Sequence, residues 1–209
     1  MNWGIPMTDY LHTYFIMGSQ DCRKDPEMVL QQAIHGGITA FQFREKGKNA
    51  LSGQAKIKLG HRLRRICKDY GIPFFVNDDI EIVRELEADG VHIGQDDSDI
   101  REIREMFPEL LIGLSISTTE ELHVSRWDLA DYLGVGPVFK TSSKDDAKEV
   151  IGIEGLRFIQ EQVPLPVVAI GGIDESNAQH VRQTGAGVSV ISAISRSEQP
   201  NEAVKRLKK

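Results

Sequence analysis

The 209-residue sequence predicts an α/β protein, a single (β/α)8 barrel with parallel strands. Eight short apolar, β-branched runs bounded by Gly, Pro or Asp alternate with helix-like stretches. Spread over 209 residues they give about 26 residues per unit, enough for a strand, a helix and two short loops. Strict alternation implies parallel strands joined by helical crossovers. An open doubly wound sheet is the alternative, but no G-x-G-x-x-G opens the first helix.

The runs are Tyr14–Met17, Ala40–Phe43, Phe74–Val76, Val91–Ile93, Leu111–Leu114, Tyr132–Val135, Val167–Ile170 and Val188–Ile191. Between them, Asp25-Pro26 reads as a helix cap followed by Pro at the first helical position. Thr118 with Glu121 fits a capping box, and Ser98 and Asp174 are further cap candidates. Gly36, Gly71, Gly90 and Gly185 stand where a left-handed residue closes a helix. The segments EADGVHIG, LADYLGVG and TGAGVSVIS resemble one another, each joining a helix end to a buried strand. No linker or composition break divides residues 1–209, and residues 1–12 read as an N-terminal extension.

Composition narrows the function. Lys plus Arg number 25 and Asp plus Glu 31, a net charge of −6, which argues against general nucleic-acid or anionic-membrane binding. Hydrophobic residues make up 40% of the chain, yet no apolar run is long enough for a membrane span. A single domain of this length buries roughly 70–75% of its unfolded surface and needs no staples. The N-terminus lacks a basic segment followed by an apolar one, and Cys22 and Cys67 have no metal spacing, so a cytoplasmic location is expected.

In such a barrel the chemistry sits at the C-terminal strand ends. After the second run, alternation puts Gln42, Arg44 and Lys46 on one face and Phe43 and Glu45 on the other. Two cations and an amide facing inward suit a polyanion; a solvated strand end is the competing reading. After the third run, Asn77-Asp78-Asp79 offers oxygen ligands for a hard cation, or a cap for a helix starting near Ile80. Gly94-Gln95-Asp96-Asp97 adds a second acidic pair on the neighbouring strand. Strands lie about 4.8 Å apart, so Asp78 and Asp97 could share one Mg2+ with substrate phosphates. His92 could face the barrel, with a packed core role favoured.

The fifth run ends at Ser115 and Ser117. The sixth leads into Gly136-Pro137-Val138-Phe139-Lys140-Thr141-Ser142-Ser143-Lys144, whose hydroxyls, amides and lysines make a phosphate loop or merely a polar one. Gly171-Gly172 and Ile191-Ser192-Ala193 end the last two runs, where barrels often hold a phosphate on backbone N–H groups. Two anion sites are therefore expected, one for a Mg2+-diphosphate and one for a monophosphate.

QFREK, VNDD, HIGQDD, GPVFKTSSK, AIGGI and VSVISAIS, in this order, resemble the thiamine phosphate synthase family over nearly the whole chain, from about Tyr14 to Ser195. The resemblance implies a TIM barrel. It also implies a transferase that couples a hydroxymethylpyrimidine diphosphate to a thiazole phosphate or its carboxylate. The products would be thiamine phosphate and pyrophosphate. It implies that Gln42, Phe43, Arg44, Glu45, Lys46 and Asn77, joined by Ser115 and Lys144, bind the pyrimidine diphosphate. Asp78 and Asp97 would hold Mg2+, while Thr141, Ser142, Ser143, Gly172, Ile191 and Ser192 would bind the thiazole phosphate. Arg44, Lys46, Ser115 and Lys144 would act on the departing diphosphate.

Two departures stand out. Family members commonly carry Pro-Thr-x-Thr-Lys in the sixth loop, where this chain has Lys140-Thr141-Ser142-Ser143-Lys144, and many carry His at the position of Ser117. A thiazole tautomerase, a related barrel, is expected to use that His; a non-catalytic thiazole-phosphate sensor could lose the acids and Lys144. The chain lacks the first and keeps the second. Small phosphorylated substrates are the expected partners, with no nucleic acid and no membrane; self-association into a homo-oligomer is left open.

Overall fold

The computed structural model describes residues 6–95, 97–141 and 149–209. Eight parallel strands close into a barrel in chain order, β1 pairing with both β2 and β8. They are β1 (Thr13–Met17), β2 (Ala40–Phe43), β3 (Phe74–Asn77), β4 (Gly90–Ile93), β5 (Leu111–Ile116), β6 (Tyr132–Val135), β7 (Val167–Ala169) and β8 (Gly187–Val190). Each coincides with an expected run to within two residues at either end. The helices are α1 (Met7–Leu11), α2 (Pro26–Gly36), α3 (Gly53–Tyr70), α4 (Ile100–Met106), α5 (Thr119–Val124), α6 (Gly152–Gln162), α7 (Ala178–Arg182), α8 (Ser192–Ser195) and α9 (Pro200–Leu207). Among the described residues no helix is long and apolar enough to cross a membrane.

Several ends match the chemistry read from the sequence. Asp25 caps α2 by accepting from the N–H groups of Glu27 and Met28, and Thr118 caps α5 by accepting from Glu121. Others shift. Gly37 rather than Gly36 takes the left-handed closing position of α2, and Asp99 rather than Ser98 caps α4. Gly90 begins β4 instead of ending a helix. Asp174 accepts from Ser176 N–H one turn before α7 begins.

The larger correction lies between β3 and β4. The helix expected from Ile80 is a single 3-10 turn, Ile80–Ile82, and Asp79 does not cap it. The turns that follow insert Leu86 against Gly60 of α3, where any Cβ on residue 60 would crowd the Leu86 side chain. Arg64 of the same helix reaches over to bond Glu87 O and Asp89. Thus α3, at 18 residues the longest helix, covers a sector with no helix of its own.

The core has two layers. Phe15, Phe41, Phe43, Phe74, Val91, Ile112 and Leu133 belong to the larger one, between sheet and helices. Tyr14, Ile16, Ala40, Phe75, Tyr132 and Val168 fill the barrel, and Leu11 of α1 joins them from the N-terminal end. Strand glycines make room for these rings. A Cβ on Gly90 would strike the Phe75 ring; on Gly113, the Tyr132 ring and His92; on Gly134, the His92 ring. Tyr132 and His92 therefore lie across positions where β5 and β6 carry no side chain. Gly113→Ala forces one of these rings out of place, and overpacking of this kind typically costs about 1–3 kcal/mol or more. Urea denaturation is expected to show a loss of at least that size, with Gly71→Ala, whose Cβ meets nothing, losing only the smaller cost of a left-handed residue.

Candidate active site

One cavity of about 240 Å3 opens at the C-terminal ends of the strands, as a (β/α)8 barrel requires. Its wall carries Arg44, Lys46, Asn77, Asp78, His92, Gln95, Asp97 and Ser115 from β2 to β5, and Thr141, Gly172, Ile191 and Ser192 from β6 to β8. Residues expected on sequence grounds to serve two anions thus share a single space. Ser142, Ser143, Lys144 and Asp96 lie outside the described residues.

The segment after β2 divides as alternation requires. Arg44 and Lys46 line the cavity, whereas Gln42 is buried without lining it and bonds Tyr14 Oη. Phe43 stacks near Phe74 in the outer core, 6.2 Å between ring centres. Glu45 also points away: its carboxylate accepts from Ser19 N at 2.8 Å, Ser19 Oγ at 2.6 Å and Leu51 N at 2.6 Å. Phe43 and Glu45 are therefore part of the frame rather than the cavity wall. Glu45 ties the loop after β1 to the loop after β2, and Gln20 reinforces the tie by donating to Arg44 O.

The acids sit as a facing pair. Asp78 has φ 60, a left-handed conformation that Asp tolerates better than most residues, and its N–H donates to His92 O. That turn swings its carboxylate toward Lys46 Nζ at 2.6 Å. Asp97 accepts from Gly94 N–H at 2.7 Å. Burial raises the Asp97 pKa, and the Asp78 carboxylate beside it raises it further, while the Gly94 N–H and Lys46 oppose the shift. Lys46 is held above its usual value chiefly by the hydrogen bond to Asp78. Asp79, next to Asp78 in sequence, is taken up by Lys56 at 2.7 Å. Among the described residues no three His, Cys, Asp or Glu side chains gather at a metal-binding spacing. Two carboxylates beside an open cavity suit a cation that draws its other ligands from water and substrate phosphates, as Mg2+ does.

His92, Gln95 and Glu121 also line the cavity and were not singled out as site residues from the sequence. His92 Nε2 lies 2.9 Å from Ser115 Oγ, and Gln95 Nε2 donates to Ser115 O at 2.7 Å, so β4 and the turn after it hold Ser115 twice. The signal for His92 was present in its spacing, two residues from Gly90 on the inward face, with Gly113 and Gly134 on the next strands. Ser117 lines the wall and donates its N–H to Glu121 at 2.7 Å. Lys140 is exposed and absent from the wall, so this departure adds no charge to the cavity.

On the far side, Gly171 and Gly172 both have positive φ, and a Cβ on Gly172 would overlap Lys140 O. This turn brings backbone to the cavity opposite the acids. A family model for thiamine monophosphate synthase matches residues 13–194. The chain belongs to the thiamine monophosphate synthase family. It is 53% identical over 199 residues to a thiamine-phosphate synthase of Oceanobacillus iheyensis, covering 94% of this chain and 97% of that one. It is 52% identical over 206 residues to one from Bacillus thuringiensis, covering 96% and 93%. Among solved structures, a thiamine phosphate pyrophosphorylase from Pyrococcus furiosus superimposes with a TM-score of 0.86 at 39% identity, over 97% of this chain and 96% of that one. The thiamine monophosphate synthase family thus accounts for the barrel and for the ordered motifs that end its strands.

Glu45 is buried and its bonds to the Ser19 and Leu51 N–H groups are partly so, and removing the carboxylate leaves both donors without their protein partner. Each buried unpaired donor costs about 1–3 kcal/mol. Glu45→Ala is expected to lower stability by a few kcal/mol in urea titration, and Glu45→Gln, which keeps one accepting oxygen, by clearly less.

Proposed function

We propose that the chain joins a hydroxymethylpyrimidine diphosphate to a thiazole phosphate, giving thiamine phosphate and pyrophosphate. The observation that carries this reading is the single cavity with Arg44, Lys46, Asp78 and Asp97 on one side and Gly172, Ile191 and Ser192 on the other. A diphosphate fits the charged side and a monophosphate the side built of backbone and hydroxyl groups.

The chemistry asks little covalent work of the protein. The C–O bond between the pyrimidine methylene and the diphosphate breaks, its electron pair leaves with the diphosphate, and the thiazole nitrogen supplies the pair for the new C–N bond. Asp78 and Asp97 would hold Mg2+, which when bound neutralises charge on the leaving diphosphate. Arg44 binds and orients the diphosphate. Lys46, paired with Asp78 in the substrate-free protein, is placed to bond a phosphate oxygen instead. Ser115, on the cavity wall, would donate to the departing oxygen. Thr141, Gly172, Ile191 and Ser192 orient the thiazole phosphate so that its nitrogen faces the methylene. Catalysis of this kind is positioning plus electrostatic stabilisation in a site that excludes water. Its small phosphorylated substrates fit a cytoplasmic enzyme.

Pyrophosphate release by the purified protein tests the proposal. Release is expected only with both phosphorylated substrates and Mg2+ present, with thiamine phosphate as the organic product; release from the pyrimidine diphosphate alone would overturn it. Asp78→Asn, which tolerates the left-handed backbone, and Asp97→Asn are expected to stay folded and to lose about 100-fold or more of the Mg2+-dependent rate, given that electrostatic stabilisers of developing charge are typically worth about 100-fold to 1000-fold. Full activity of either at the Mg2+ concentration that half-saturates the unaltered enzyme would defeat the metal assignment.

A further inference from the structure

A buried chain of side chains beneath the cavity decides which way the Ser115 hydroxyl points. Gln42 Nε2 lies 3.1 Å from Tyr14 Oη, and Tyr14 Oη lies 2.8 Å from Tyr132 Oη. Tyr132 Oη is 3.1 Å from His92 Nδ1, and His92 Nε2 is 2.9 Å from Ser115 Oγ. The chain crosses the barrel interior from β2 through β1, β6 and β4 to β5. Both tyrosines are fully buried, and burial pushes both phenols well above their usual range. Each is therefore a neutral hydroxyl with one hydrogen to give.

A side-chain N–H2 group only donates. Tyr14 accepts from Gln42, so its own hydrogen goes to Tyr132. Tyr132 then gives its hydrogen to His92 Nδ1. An imidazole that accepts at Nδ1 carries its hydrogen at Nε2, which donates to Ser115 Oγ. Ser115 has accepted, so its hydroxyl hydrogen is directed at the cavity. The amide orientation at the head of the chain agrees with its surroundings: Gln42 Oε1 meets no partner, and the reverse orientation would instead strand an N–H2 group, the rarer defect in a buried site.

We propose that this chain has a fixed polarity that makes Ser115 a hydrogen-bond donor to the departing phosphate oxygen, with His92 as a positioning residue in its Nε2–H form. The use of that donor rests on the reaction proposed above; the polarity of the chain does not. Gly113 and Gly134 are part of the device, because a Cβ on either would displace the His92 ring.

Nitrogen-15 NMR of the histidine-labelled, substrate-free enzyme reads the tautomer directly, with His92 identified by the signal lost in His92→Gln. The expected result is the Nε2–H tautomer in the unaltered enzyme and a mixture of tautomers in Tyr132→Phe, where Nδ1 has lost its donor. Tyr14→Phe, which breaks the chain between Gln42 and Tyr132, serves if Tyr132→Phe does not fold, and is likewise expected to give a mixture. Either variant is expected to lower kcat about tenfold while KM for the pyrimidine diphosphate stays within about twofold, the signature of an interaction made in the transition state. An Nδ1–H tautomer in the unaltered enzyme, or an undisturbed Nε2–H tautomer in the folded variants, would overturn the polarity. An Nε2–H tautomer in an enzyme whose Ser115→Ala variant keeps full kcat would overturn the donor role while leaving the chain intact.

Discussion

The interior of a closed eight-stranded barrel has to be filled by side chains from its own strands, and in this chain the filling turns on three glycines. Gly90, Gly113 and Gly134 give up their side chains so that Phe75, Tyr132 and His92 can lie flat across them. The exchange is steric, and its consequences are polar. A ring laid over a glycine reaches farther across the barrel than one standing between two side chains. Tyr132 meets Tyr14 from the opposite side, and His92 meets Ser115 on the neighbouring strand. The floor of the cavity is thus a connected hydrogen-bonded layer, and buried polar groups that are mutually paired hold one arrangement firmly.

Above that floor the arrangement is electrostatic. Asp78 and Asp97 face one another, and burial together with the Asp78 carboxylate raises the proton affinity of Asp97. In the substrate-free protein Lys46, paired with Asp78, opposes that rise. The frame that aims these groups sits on the other face of the same short segments. Glu45 grips Ser19 and Leu51, and Asp79 grips Lys56, so neighbours in sequence divide between holding the loops and lining the cavity.

Much of the architecture was legible in the sequence because parallel buried strands announce themselves as short apolar runs and the barrel leaves little chain to spare between them. The cavity wall was legible for a related reason: polar residues crowd directly after the apolar runs, and Arg44, Lys46, Asp78, Asp97 and Ser115 stood out among them, although Glu45 and Asp79 in the same segments hold the loops instead. What escaped was set by contacts between strands far apart in sequence. Nothing near Glu45 shows that Ser19 waits for its carboxylate. His92 is the packed, hydrogen-bonded core residue that was expected, but its place on the cavity wall depends on Tyr132 and Ser115, 40 and 23 residues away. The missing helix after Asp79 could not be read locally either, since Ile82, Val83 and Leu86 have helical spacing and are buried, with Leu86 seated on Gly60 of α3.

That missing helix has a consequence for motion. Each of the other connections between successive strands carries an α-helix, whose opening breaks a ladder of backbone bonds. The link from Ile80 to Ala88 is held instead by turn contacts, by Leu86 seated on Gly60, and by Arg64 reaching across. Such a segment has a low threshold for local opening compared with the strands it joins. Asp78 lies two residues before it. The Asp78 carboxylate, paired with Lys46, therefore stands beside a part of the shell held by turns, while its own N–H stays anchored to the sheet through His92 O.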